Sequence, residues 1–245
     1  MALVSVIIAA TAACADPSTS PTRSPTSNPG GVNAEVFVPT GPIVPCPDTL
    51  FKANFSSDIV NAAPGKPVVG SWKLNESAGV VRVRSSLGWP VSLYNPVELS
   101  QFGSILGGVG LAGTIACGTA PSTGTYTVRW RSLVSSTFAV AGGVAIRDSQ
   151  SRMIAGLMYW PNGVIGFNGM PILGLFWTAH RADSFRVDVN LDTHTTSLYV
   201  NTVLKLANVP FDQATASNVR QVAFELGGAT AQSFAWDDIM VVRVP

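Results

Sequence analysis

Ser184-Phe-Arg-Val-Asp-Val-Asn-Leu-Asp-Thr-His-Thr-Thr-Ser-Leu-Tyr-Val-Asn201 is the stretch on which the fold turns. Phe185, Val187, Val189 and Leu191 alternate with Ser184, Arg186, Asp188, Asn190 and Asp192. Successive side chains of a strand point to opposite faces, so a period of two sends one set to a core and the other outward. Asp192-Thr193-His194-Thr195 supplies polar turn residues, and Ser197–Val200 resumes as a second strand. The segment predicts an antiparallel hairpin with one apolar face.

The same period recurs on both sides of it. Tyr126, Val128 and Trp130 alternate with Thr125, Thr127, Arg129 and Arg131, and Val81 and Val83 alternate with Arg82 and Arg84. Pro161-Asn162-Gly163, between Met153–Trp160 and Val164–Phe167, is a hairpin signal. Gly107-Gly108-Val109-Gly110 reads as a turn or bulge. Convincing helical periods are lacking. From Thr49 to Pro245 the chain has roughly 200 residues, enough for one large all-β domain. Many strands joined by tight turns predict a two-sheet antiparallel sandwich.

Three segments carry a family likeness. The 184–201 hairpin resembles the late hairpin of concanavalin A-like lectin/glucanase domains, of which laminin-G-like domains are one kind. Phe234-Ala-Trp-Asp-Asp-Ile-Met-Val-Val-Arg-Val244 is similar to their closing strand, and Phe51-Lys-Ala-Asn-Phe-Ser-Ser-Asp-Ile-Val60 resembles their opening strand and loop. The resemblance implies a jelly roll with one concave sheet as its ligand face. It also implies a structural calcium ion, to which Asp58 with Asp237 or Asp238 would contribute oxygens. Apart from that ion, no cofactor is expected.

The first residues place the protein in the cell. Ala2 to Ala13 form an apolar run ending in small residues, too short to span a bilayer, which takes about 20 residues. Thr11-Ala12-Ala13-Cys14 resembles the bacterial lipobox, whose Cys becomes the acylated first residue of the mature chain. An ordinary cleaved signal and an uncleaved anchor are the other readings. Residues 15–45 carry seven prolines with Ser and Thr between the early ones, a composition that cannot bury enough apolar area to fold and favours an extended spacer. The expected organisation is a signal peptide over 1–13, a lipid-anchor Cys and disordered Pro/Ser/Thr-rich tether over 14–47, and the sandwich over 48–245. Such a chain is exported, periplasmic or on the outer cell surface, and held to a membrane.

Three cysteines are present. With Cys14 acylated, Cys46 and Cys117 remain to form a disulfide in an oxidising compartment; two buried free thiols are the alternative.

Catalytic patterns are sparse. Related glucanases carry E-x-D-x-x-E on one strand, with the carboxylates on one face for acid/base and nucleophilic roles. This chain lacks it, and its four glutamates are scattered. Asp188 and Asp192 share a strand face but lie about 13 Å apart at strand rise, beyond the roughly 5–9.5 Å of glycoside hydrolysis. Alternation puts Asp237 and Asp238 on opposite faces. His180 and His194 fall in loops with no nucleophile elbow nearby. A net charge of +1 without a basic cluster gives no support to nucleic-acid binding.

Binding is the expectation that remains. Charged residues make up 12% of the chain, about half the usual share, and mean hydropathy is +0.31. Either Ser, Thr and Gly replace charge outside, or part of the exterior is covered by other subunits. In Thr137–Arg147, Phe138, Val140, Val144 and Ile146 share one face, while Ala139, Ala141, Gly143 and Ala145 share the other. Small side chains let a sugar ring, an aromatic or a second backbone approach closely. With the preceding strand as its hairpin partner, this strip would be bordered by Arg129 and Arg131, with Arg82 and Arg84 nearby. Trp160, Trp177 and Trp89 lie beside turns, where aromatics stack on pyranose rings or anchor an interface. The sequence therefore predicts a non-catalytic, lectin-like module of the bacterial cell envelope that binds glycan or docks on a membrane protein complex. An extrinsic subunit of a membrane assembly, and a glycoside hydrolase or polysaccharide lyase, are the alternatives.

Overall fold

A computed structural model describes residues 46–85, 96–101, 109–134, 142–160, 163–227 and 232–245. The expected signal segment, Cys14, residues 15–45 of the expected tether, Trp89, Gly107, Gly108, Phe138, Ala139, Val140, Ala141, Pro161 and Asn162 lie outside the described residues. Those described form fifteen strands and no helix.

The strands make two antiparallel sheets. The first holds β1 (Thr49–Ala53), β3 (Gly79–Val83), β4 (Val97–Gln101), β6 (Thr125–Val134), β11 (Ala182–Asn190), β12 (Thr195–Val200), β13 (Val203–Pro210) and β15 (Gln232–Arg243). Its order is β13-β12-β11-β6-β15-β4-β3, with β1 pairing the latter half of β15. The second holds β2 (Ser71–Glu76), β5 (Val109–Thr114), β7 (Gly142–Arg147), β8 (Met153–Tyr159), β9 (Val164–Phe167), β10 (Met170–Phe176) and β14 (Gln221–Leu226), in the order β10-β9-β8-β7-β14-β5-β2. The expected sandwich is present.

The defining hairpin forms as read. Phe185 pairs Val200 and the ladder runs to Asn190 opposite Thr195. Its turn closes because Asn190 Oδ1 accepts the Asp192 and Thr193 backbone N–H groups at 3.0 Å. Phe185, Val187, Val189 and Leu191 are buried, as are Val128 and Trp130 of β6. These inward rings meet the second sheet: Trp130 packs edge-on to Phe224 at 6.3 Å, and Tyr159 to Phe234 at 4.8 Å. Each such buried side chain contributes about 1.5–3 kcal/mol. Between the layers the Tyr159 and Ser132 hydroxyls share a 2.7 Å hydrogen bond, so the phenol is satisfied inside the core.

Two local readings are corrected. Val109 and Gly110 begin β5 rather than a turn. Asp237 and Asp238 do not sit on opposite faces of β15. The register slips from Asp237 opposite Arg131 to Met240 opposite Arg129, which inserts one residue, and Asp238 takes φ +51°. This bulge shifts the alternation, so Trp236 and Ile239 both point inward while Asp238 reaches the outer face. Cys46, ahead of β1, is bonded to Cys117 in the loop after β5, with Cα atoms 5.4 Å apart. The pairing expected for these thiols is the one found.

Candidate functional site

The structure separates residues that the sequence placed together. β6 lies between β11 and β15 in the first sheet, whereas β7 lies between β14 and β8 in the second. Arg129 and Arg131 therefore do not border the small-residue strip; they face away from it on the opposite side of the sandwich. Both strands alternate with equally apolar inner sides, so periodicity could not reveal that the chain changes sheet between Val134 and Gly142.

The strip widens into a floor across the second sheet. Lys73, Ala112, Ala223, Ala145 and Gly156 form one continuous cross-strand row over β2, β5, β14, β7 and β8. The next row reads Asn75, Gly110, Glu225, Gly143 and Met158. Two depressions of about 350 Å³ each lie over these rows and share Asn75 and Glu225. Arg147 donates to both Glu225 oxygens at 2.7 and 2.9 Å. Since Arg147 pairs Gln221 and Glu225 pairs Gly143, the ion pair crosses the alanine row. Gly143 has a structural reason to lack a side chain: a Cβ there would run into the Leu157 carbonyl oxygen.

The tryptophans stand at the end of this sheet. Trp177 is buried and its indole N–H donates to the Trp160 carbonyl at 3.0 Å, so its ring is committed to packing. Trp160 is half-buried, its ring beside Gly166.

The outer face of the first sheet differs in character. A depression of about 520 Å³ is lined by Lys52, Arg129, Arg131, Arg186, Tyr199 and Asp238, among others. Lys52, Met240, Arg129, Arg186 and Tyr199 are successive cross-strand neighbours over β1, β15, β6, β11 and β12. Arg131 lies 3.6 Å from Asp238, and Arg186 lies 3.2 Å from Asp188 and 3.7 Å over the Tyr199 ring. Arg186 and Tyr199 sit in the stretch that decides the fold; reading its register across to Arg129 would have found this face from sequence. Arg147 and Glu225, 78 residues apart, left no such signal.

Other candidate residues have partners of their own. Asp58 accepts the Gly65 N–H at 2.9 Å, Asp237 accepts the Asp238 N–H at 2.8 Å, and Asp238 turns to Arg131. Among the described residues no three His, Cys, Asp or Glu side chains cluster as a metal site. Arg82 pairs with Glu76 and Arg84 with Glu98, both away from either floor. His180 and His194 are exposed, His194 stacked on Phe211. Among the described residues, Glu225 is the carboxylate lining the depressions of one face and Asp238 that of the other, with Asp188 beside Arg186, and all three are ion-paired.

No protein-family profile and no curated protein matches this sequence. Solved structures do share its fold. A sialidase superposes with a TM-score of 0.62 at 10% identity, over 81% of this chain and 19% of the sialidase. The catalytic domain of a glycoside hydrolase family 131 protein from Coprinopsis cinerea gives 0.56 at 12% identity, over 81% of this chain and 96% of that domain. The alginate lyase AlgAT5 of polysaccharide lyase family 7 gives 0.54 at 11%, over 73% and 96%. At such identities the likeness is one of fold, a jelly-roll sandwich.

Proposed function

We propose that this chain is a non-catalytic glycan-binding module of the bacterial cell envelope, exported, held to a membrane through an acylated Cys14, and binding sugar on the outer face of its second sheet. One observation carries the reading: among the described residues, the carboxylates at the two depressed faces, Glu225 on one and Asp238 and Asp188 on the other, are each held in an ion pair, whereas glycoside hydrolysis needs a cooperating pair of carboxyl groups. Ala145 and Gly156 in one depression and Ala112 in the other make a shallow floor for a flat pyranose ring, with Glu225, Asn75 and Lys73 lining them for its hydroxyls. The sialidase, the glycoside hydrolase and the alginate lyase are glycan-active by name, which supports a sugar as ligand. The Cys46–Cys117 bond supports an oxidising compartment.

Co-sedimentation with neutral insoluble polysaccharides, with reducing-end release followed in the same tubes, tests this. Retention without release is expected, lost on Ala145→Trp, which puts an indole on the floor. Release of reducing ends would restore the hydrolase or lyase reading, and absence of retention would reject sugar binding on the second sheet. A second reading has its own support. Met170, Leu173 and Phe176 on edge strand β10, and Val203 and Leu204 on edge strand β13, are exposed, which suits docking on a subunit of a membrane assembly.

A further inference from the structure

Four cations, Lys52, Arg129, Arg131 and Arg186, converge on the depression of the first sheet, and local carboxylates do not balance them. Asp238 serves Arg131, and Asp188 serves Arg186 while also accepting the Thr127 hydroxyl at 2.7 Å. The Arg129 guanidinium instead meets the Met240 sulfur at 3.0 Å, a weak acceptor. Lys52 has no carboxylate within ion-pair distance among the described residues. Arg129 and Arg186 are direct cross-strand partners, and like charges so placed destabilise a sheet.

We propose that this depression is a second binding site, specific for the carboxylate or sulfate group of an acidic saccharide. A planar guanidinium presents parallel N–H groups to the two oxygens of such an anion, and Arg129 is exposed with its donors uncommitted to any strong acceptor. Arg186, held over Tyr199 and against Asp188, is set in place beside it. Asn54, Ser184 and Thr202 bring amide and hydroxyl groups to the same depression for sugar hydroxyls. Its volume of about 520 Å³ falls among small-ligand sites, roughly 300–1,000 Å³, and a recess of that size suits a discrete ring rather than a flat lipid surface. The choice of a sugar as carrier of the anion rests on the glycan-binding reading, but the site is on the other face and is tested separately.

Calorimetric titration of the full chain uses tetragalacturonate and the neutral tetrasaccharide made by reducing its carboxyls. The acidic probe is expected to bind, more weakly as salt rises from about 50 to about 200 mM. Arg129→Ala and the carboxyl-reduced probe are each expected to lose about tenfold or more in affinity, the cost of a charge-assisted hydrogen bond. Ala145→Trp leaves this binding unchanged. Equal affinity for both probes, or wild-type affinity in Arg129→Ala, overturns the site. Attachment to phosphatidylglycerol vesicles that Arg129→Ala abolishes, without tetragalacturonate binding, assigns the cations to a membrane surface and overturns it too. Neutral polysaccharide retention with no acidic binding sinks this site alone; loss of both sinks the glycan reading.

Discussion

Arg147 and Glu225 meet in two parallel hydrogen bonds, 2.7 and 2.9 Å, across the alanine row of the second sheet. Their side chains are 23% and 50% exposed, so the pair contributes under about 1 kcal/mol to folding. Its greater effect is on shape, since it fixes a long arginine above a floor of methyl groups. Glu225→Gln is expected to leave the urea midpoint almost unmoved while weakening polysaccharide retention several-fold, because the freed Arg147 sweeps the floor. A large fall in stability with retention intact would contradict this division.

Gly143 is held by its neighbour strand rather than by a ligand. Adding a methyl group drives it into the Leu157 carbonyl, and the backbones of β7 and β8 must part. Gly143→Ala should cost about 1–3 kcal/mol in denaturant unfolding, the usual range for overpacking. Polysaccharide binding per folded molecule should persist, which a contact glycine would not allow.

How far the sequence spoke can be judged on these strands. Period-two alternation identified the inner faces of β6 and β11 residue by residue, because a single buried layer imposes it. Hairpin partners with short turns were equally plain. Sheet membership was not: the strands flanking 135–141 look alike whichever layer they join, and so Arg129 was set beside Gly143 when they face opposite ways. The β15 bulge escaped too, since one inserted residue with a positive φ leaves no mark in Trp236-Asp237-Asp238-Ile239. Long-range partners such as Arg147 and Glu225 needed the pairing of β7 with β14, strands far apart in sequence.

Asp148 anchors the turn between β7 and β8. Burial acts to raise its carboxyl, but the Arg152 guanidinium and the backbone N–H groups of Arg152 and Gln150 outweigh burial and hold it below its ordinary 3.8. The unfolded chain thus keeps a proton that the folded carboxyl gives up. Stability from this group is complete above about pH 4 and lost as pH falls through the folded value. Asp148→Asn is expected to cost about 1–3 kcal/mol at neutral pH and to flatten the acid limb of a stability–pH curve. An unchanged acid limb would deny Asp148 this role.

The Cys46–Cys117 bond spans 71 residues of sequence. Under the chain-entropy account, a closure of this size contributes about 4 kcal/mol by restricting the unfolded ensemble. The double Cys46→Ser, Cys117→Ser chain should unfold at lower guanidinium concentration, its extrapolated unfolding free energy lower by about that amount, with the native near-ultraviolet spectrum kept before the transition. A midpoint equal to that of the oxidised parent would count against it.

That cross-link also decides how the body answers a pull on the chain upstream of residue 46. β1 is zipped to β15, bridged to Val69 through Lys52, and hydrogen-bonded to Ala116 through the Leu50 carbonyl, and a pull would load these bonds first. Because Cys46 is covalently joined to Cys117, the stretch between them cannot be drawn out even if those bonds open, and tension passes to the β5 end of the second sheet. Force applied ahead of residue 46 therefore bypasses the 47–116 segment.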